Sequence, residues 1–277
     1  MTSNPPPKSD NLRNRLIYGF SGFFLMMGGM LGNAWTYFIV FLVISCVCLY
    51  EFYALYLIQG KRPLKMYGIF LSLSIYVLSF LISDELIPEI YYLVLYPLFS
   101  LGFIIKLYEP QEKEAFENIA LTLLGVVYVT VPFASLNMIV FVDGGYNYQV
   151  ILGIFFTLWI HDIGAYFIGY RYGKHQLFAR ISPKKSWEGS IGGGFMALVM
   201  SYLLSQYLWV FDWWQWLGIS LIITVIGTHG DLVESMLKRN IQVKDSSGAL
   251  PGHGGFLDRF DNLLISAPFI ALFIKIF

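Results

Sequence analysis

The chain has 277 residues, 57% of them hydrophobic and 18% aromatic but only 13% charged, where a soluble domain carries about 25% charged residues. That composition excludes a soluble globular protein, and the continuously apolar segments exclude a membrane barrel, whose strands would alternate apolar with polar residues. Eighteen basic residues cancel eighteen acidic ones, so net charge points to no partner and the placement of charge has to.

Residues 1 to 10, with Pro5, Pro6 and Pro7, read as a short disordered tail ahead of a single integral membrane unit over 11–277. Arg13 and Arg15 precede an apolar run as in a secretory signal, but no small-residue cleavage pattern follows, so the run is a retained first helix. Runs long enough to cross a bilayer recur near 16 to 32, 35 to 57, 66 to 83, 87 to 105, 118 to 141, 148 to 170, 189 to 210, 214 to 230 and 257 to 277. This predicts an all-α polytopic fold of about nine transmembrane helices in the bilayer of a bacterial-type cell membrane. The loops alternate in charge: Lys61, Arg62 and Lys65, then Asp84 and Glu85, then Lys106 and Lys113, then Asp143, then Arg171 through Lys185, then Asp212. By the positive-inside rule the N-terminus is cytoplasmic, and an odd number of spans puts the C-terminus outside.

Within the spans, Cys46 and Cys48 lie two apart on different sides of one helix, which suits neither a disulfide nor a metal. Glu51, near the end of the second span, reads as packing or snorkelling. Gly28/Gly32 and Gly189/Gly193 have the spacing that lets helices approach closely. Trp213, Trp214 and Trp216 read as an interfacial belt and not as a base-stacking platform, so nucleic acid is not expected.

Polar chemistry gathers in 171 to 188 and 231 to 256, which this topology makes cytoplasmic. If the eighth helix continues past Gly230, then Asp231, Glu234, Ser235 and Lys238 share one face, and Asp258 and Asp261 share a face of the last helix. Carboxylates offered from two helices suit Mg²⁺, which binds through a few carboxylates and keeps waters or substrate phosphates as its other ligands. Lys238, Arg239, Lys244 and Arg259 surround them, with His253 in a glycine-rich turn entering the last helix, an arrangement suited to phosphates. Asp162, inside the sixth span, is costly there unless paired or facing water, and reads as lining a site. The basic stretch Ser182-Pro183-Lys184-Lys185-Ser186-Trp187-Glu188 is either an interfacial anchor or a substrate contact.

Ser235 to Asp261 matches the pattern S-x-L-K-R-x4-K-D-x-S-x2-L-P-x-H-G-G-F-x-D-R-F-D. It resembles the phosphatidate cytidylyltransferase (CDP-diacylglycerol synthase) family, whose two upstream motifs are similar to Asp162-Ile163-Gly164-Ala165-Tyr166 and Ser182 to Gly189. Residues 1–150 match only in hydropathy. Ser186 stands where Thr is usual in the family, which keeps a hydroxyl.

The resemblance implies that CTP and phosphatidate give CDP-diacylglycerol and pyrophosphate at the cytoplasmic face, with a divalent metal. It implies Asp231, Asp258 and Asp261 at a metal centre of two cations, the second divalent or monovalent, with Lys238 beside them in catalysis. Arg239, Lys244, His253, Arg259, Ser182, Lys184, Lys185, Trp187, Asp162 and Ser235 would then meet the substrates. A homodimer is left open. Asp258→Asn should weaken Mg²⁺ binding and turnover while leaving the metal-free protein at least as stable. A transporter would place its charges near the bilayer midplane between repeated halves, which this sequence lacks. A CTP-dependent polyprenol kinase would need the same metal and nucleotide chemistry, and only the 27-residue pattern separates the two.

Overall fold

The computed structural model describes residues 8–109, 114–243, 245–247 and 254–277. Backbone in hydrocarbon finds no water to bond, so each apolar run satisfies its N–H and C=O groups internally as helix. Among the described residues these are α1 (Lys8–Leu31), α2 (Ala34–Ile58), α3 (Lys65–Ser83), α4 (Glu89–Leu107), α5 (Ala115–Val140), α6 (Tyr148–Tyr172), α7 (Trp187–Tyr207), α8 (Trp213–Asn240) and α9 (Leu257–Ile276). Every predicted run has its helix, and α2 to α6 together with α8 are long and apolar enough to cross a membrane. Helix α1 begins at Lys8, inside the segment expected as tail, and residues 1–7 lie outside the described residues.

One feature departs from the all-α expectation. Between α6 and α7 the chain forms an antiparallel hairpin of β1 (Gln176–Phe178) and β2 (Ser182–Ser186), with Gln176 opposite Ser186 and Phe178 opposite Ser182.

Helix α9 threads the middle of the bundle, packed against α5, α8 and α2. Its Phe260 ring lies 5.4 Å from Phe133 of α5 and 6.4 Å from Phe155 of α6, and Phe41 of α2 lies 5.8 Å from Phe155. In lipid there is little hydrophobic drive between helices, so small residues and interhelical hydrogen bonds set the contacts. Tyr37 donates to Asn137 Oδ1 at 3.1 Å and Ser79 to the Ala134 carbonyl at 2.7 Å, joining α2, α3 and α5. Such bonds contribute about 0.6 kcal/mol each.

Gly189 and Gly193 make the close approach expected of them: a Cβ would stand 2.8 Å from the Ala165 carbonyl and 2.6 Å from that of His161, so α6 and α7 touch backbone to backbone. Of the other pair, Gly28 does not, since the space beside it is open, but Gly32 does, because a Cβ there would run into Thr36 of α2; Gly29 likewise meets Val40 of α2. Trp216 also departs from the interfacial reading. It is fully buried against Gly153 of α6, while Trp213 and Trp214 stay exposed.

Successive helices run in opposite directions, which gathers the basic segments at one end. There Gln59 Nε2 donates to the Asn240 carbonyl at 3.3 Å, and Arg62 N to Asn118 Oδ1 at 2.7 Å. At the opposite end Gln215 Nε2 donates to the carbonyl of Phe277 at 3.1 Å. Two wide π turns, Val126–Thr130 in α5 and Ile223–Gly227 in α8, interrupt the regular helices beside the site.

Candidate active site

Helix α8 does continue past Gly230 to Asn240, and Lys238 Nζ meets Glu234 Oε2 one turn earlier at 2.6 Å. Two glycines on α8 decide where its acids go. A Cβ at Gly227 would collide with Asn262 Oδ1, and one at Gly230 would stand 2.6 Å from the Asp261 carbonyl. Without side chains there, α8 and α9 approach closely enough to bring the Asp231 and Asp261 carboxyls within hydrogen-bonding reach of each other.

Lys185 of β2 forms an ion pair with Asp231 from the other side. The hairpin that carries it is pinned by Glu188 at the start of α7, which accepts from Lys174 N at 3.1 Å and His175 N at 3.2 Å and pairs with His175 Nδ1 at 2.6 Å. Its own backbone N–H and then the His175 ring hold the Glu188 carboxyl down at about 2. Ser186 accepts from Gly189 N at 3.2 Å and caps α7.

A cavity of about 860 Å³ lies between these elements, a size typical of small-molecule sites. Asp162 and His161 of α6, Ser182, Lys184 and Lys185 of β2, and Asp231 of α8 line it. Asp162 is thus exposed into a cavity, with His161 Nδ1 at 3.2 Å and Asn262 Nδ2 at 3.4 Å from its Oδ1. Facing water removes most of the cost of a carboxylate at that depth.

Asp258 is held differently. Its Oδ1 accepts from Lys238 Nζ at 2.7 Å, and its Oδ2 from Gly255 N at 2.8 Å, Ser246 N at 3.0 Å and Ser246 Oγ at 3.1 Å. Protein donors therefore occupy both oxygens. Among the described residues no three His, Cys, Asp or Glu converge as a metal cluster, so the three aspartates do not meet at one point. They divide into an Asp231–Asp261 dyad and an Asp258–Lys238–Glu234 ion network.

Of the other residues singled out, Arg239 and Arg259 are exposed at this same end, while Ser235 and Trp187 are not among the residues lining the cavity. Lys244 and His253 lie outside the described residues.

Several neighbours were not foreseen. Glu51 of α2 is 3% exposed, neither snorkelling nor merely packed, and it binds the segment leading into α9. Buried oxygens or nitrogens without a hydrogen-bond partner cluster round the dyad: Glu234 Oε1, Tyr128 Oη, Asn262 Oδ1 and His161 Nε2. Tyr128 sits in the π turn of α5, within electrostatic reach of Glu234, Asp261 and Asp231. A helical break carrying a tyrosine leaves no local signal in sequence, whereas Glu234 four residues before Lys238 was readable as a pair.

Compared with known proteins, residues 13–277 match the model of the cytidylyltransferase family. Curated relatives named phosphatidate cytidylyltransferase include one from Staphylococcus aureus (strain COL), 37% identical over 186 residues, covering 66% of this chain and 70% of the relative. Another, from Staphylococcus haemolyticus (strain JCSC1435), is 36% identical over 176 residues, covering 62% of this chain and 66% of the relative.

Proposed function

Because this chain belongs to the cytidylyltransferase family, we propose that it joins CTP to phosphatidate, giving CDP-diacylglycerol and pyrophosphate for phospholipid synthesis. The observation that carries this is the meeting of two lysines, Lys184 and Lys185, with Asp162 and Asp231 in one cavity of ligand size, at the end of an apolar helix bundle where a lipid phosphate would sit.

A phosphatidate oxygen attacks the α-phosphorus of CTP, the α–β phosphoanhydride bond breaks, and pyrophosphate leaves with its electron pair. The attacking phosphate monoester is already largely ionised at neutral pH, so no protein nucleophile is required. The protein's task is to bring two polyanions together in line and to neutralise them. Lys184 and Lys185 take phosphate oxygens in the cavity, and Arg239 and Arg259, exposed at the same end, offer planar forks to the phosphates.

The donor set fits a cation at the dyad. Asp231 and Asp261 face each other with one lysine, Lys185, to offset two negative charges, so the pair is unfavourable unless a proton or a cation lies between them. Hard carboxylate oxygens with unpartnered polar atoms around them suit Mg²⁺. When bound, the ion would supply charge neutralisation for the reacting phosphates. We assign Asp231 and Asp261 to it, and give Asp258 the task of fixing Lys238 beside them.

The remaining topology follows from charge. With nine helices alternating in direction and the basic segments at one end, the site opens on the cytoplasmic face, the N-terminus lies on that side and the C-terminus outside. Incubating purified protein with CTP, phosphatidate and Mg²⁺, followed by mass spectrometry of the lipid, should yield CDP-diacylglycerol. A folded sample that makes none refutes the proposal.

A further inference from the structure

Helix α9 starts without a cap of its own. Its first residues follow Phe256, which already has helical backbone angles and makes no side-chain capping bond, and the leading N–H groups of a helix are orphans unless something outside supplies an acceptor. The acceptor comes from α2, about two hundred residues away in sequence. Glu51 Oε1 accepts from Phe256 N at 3.1 Å and from Ser247 Oγ at 2.6 Å, while Oε2 accepts from Leu257 N at 2.9 Å and from Ser246 Oγ at 3.1 Å. One buried carboxylate therefore ties Ser246 and Ser247 to the start of α9. Ser246 passes the tie on to Asp258, and Asp258 to Lys238.

The glycines there are explained by the same contact. A Cβ on Gly255 would stand 2.4 Å from Glu51 Oε2 and 2.0 Å from Ser246 Oγ, and Gly254 has φ +80°, a conformation other residues resist. Asp261 lies one turn beyond this fixed point, so whatever holds the start of α9 also sets where Asp261 stands against Asp231.

We propose that Glu51 is a positioning residue for the reaction: a carboxylate supplied by the N-terminal half that caps α9 and fixes Ser246 and Ser247 beside its first turn, so that Asp261 and Lys238 are held in working register. It touches neither substrate. The inference rests on the proposed cytidylyl transfer, and the controls below separate the two.

Glu51→Gln keeps the size of the side chain but turns one pair of acceptor sites into a donor, facing N–H or O–H groups that also donate. The purified variant, measured in detergent alongside wild type, should remain folded at the assay temperature. Its kcat per folded molecule should fall roughly 10- to 100-fold, the scale of a small misplacement of catalytic groups, with little change in KM for phosphatidate. Gly255→Ala pushes on the same contact from the other side and should give the same phenotype. The double variant should be little worse than either single one, because both break one tie. If Glu51→Gln does not fold, Ser247→Ala, which removes a single donor, should show the kcat loss in milder form.

Full kcat per folded molecule in Glu51→Gln, in Ser247→Ala where that variant decides, or multiplicative losses in the double variant, would overturn the positioning role. Wild-type protein that fails to form CDP-diacylglycerol under the same conditions would instead defeat the proposed activity.

Discussion

Replacing Asp258 by Asn separates two accounts of this carboxylate. If it were a metal ligand repelled by its neighbours, the metal-free protein would lose nothing by neutralising it. The geometry predicts a loss. Asp258 Oδ1 holds Lys238 at 2.7 Å, and Oδ2 holds Gly255 N at 2.8 Å and Ser246 N at 3.0 Å. An asparagine can keep its oxygen toward the second group only by turning its NH₂ toward the lysine, donor against donor. The cost is then one charge-assisted hydrogen bond, about 1.5–3 kcal/mol. It stays below the 3–5 kcal/mol typical of a buried charge left alone, because Lys238 retains Glu234 at 2.6 Å. The melting temperature in detergent without metal should fall by roughly 3–5 °C, while the further stabilisation that Mg²⁺ gives wild type should persist in the variant, since the dyad is intact. Turnover should fall because Lys238 is no longer fixed. An unchanged melting temperature combined with loss of the Mg²⁺ stabilisation would refute this and return Asp258 to the metal.

Gly230→Ala would press a methyl group against the Asp261 carbonyl, only 2.6 Å from the ideal Cβ. It should cost about 1–3 kcal/mol of stability and reduce kcat more than KM; wild-type kinetics would mean that the α8–α9 spacing does not set the dyad. Lys185→Met removes the cation beside Asp231 and should tighten Mg²⁺ binding while lowering turnover, and an unaltered Mg²⁺ titration would separate the lysine from the dyad. Asp261→Asn should abolish Mg²⁺-dependent stabilisation, and a variant that still gains the wild-type increment would place the ion elsewhere. Ala179→Cys, in a background lacking Cys46 and Cys48, should react with an impermeant thiol reagent only from the cytoplasmic side of intact cells or vesicles; labelling from outside would invert the topology.

Where structure follows from what the solvent permits, the sequence was a good guide. A run of twenty apolar residues has one way to satisfy its backbone in lipid, so each of the nine runs is a helix, and the described residues of the 235–261 pattern lie at the same end as Asp162 and Lys185. Long-range partnership was not legible. Glu51 gives no local sign that its acceptor oxygens serve Ser246, Ser247, Phe256 and Leu257, because nothing within a helical turn of it marks the contact. Three aspartates at helical spacing looked equivalent, yet Gly227 and Gly230 draw α8 toward Asp261 while Ser246 and Gly255 donate to Asp258, which gives them different surroundings. Trp216 was read with its two neighbours as an interfacial belt, but Gly153 on α6 leaves a hole that its ring fills. The hairpin at 176–186 escaped notice because three- and five-residue strands carry too short an alternation to register.

Cytidylyl transfer and phosphoryl transfer from the same nucleotide would use the same kind of cavity, lysines and cation, so the fate of each CTP phosphate tests the account most directly. Purified protein given phosphatidate, Mg²⁺ and CTP labelled at either the α- or the γ-phosphorus should place the α label in the lipid and release the γ label as pyrophosphate. Lipid that acquires the γ label instead would contradict the attack on the α-phosphorus and, with it, the proposed function of the Asp231–Asp261 site.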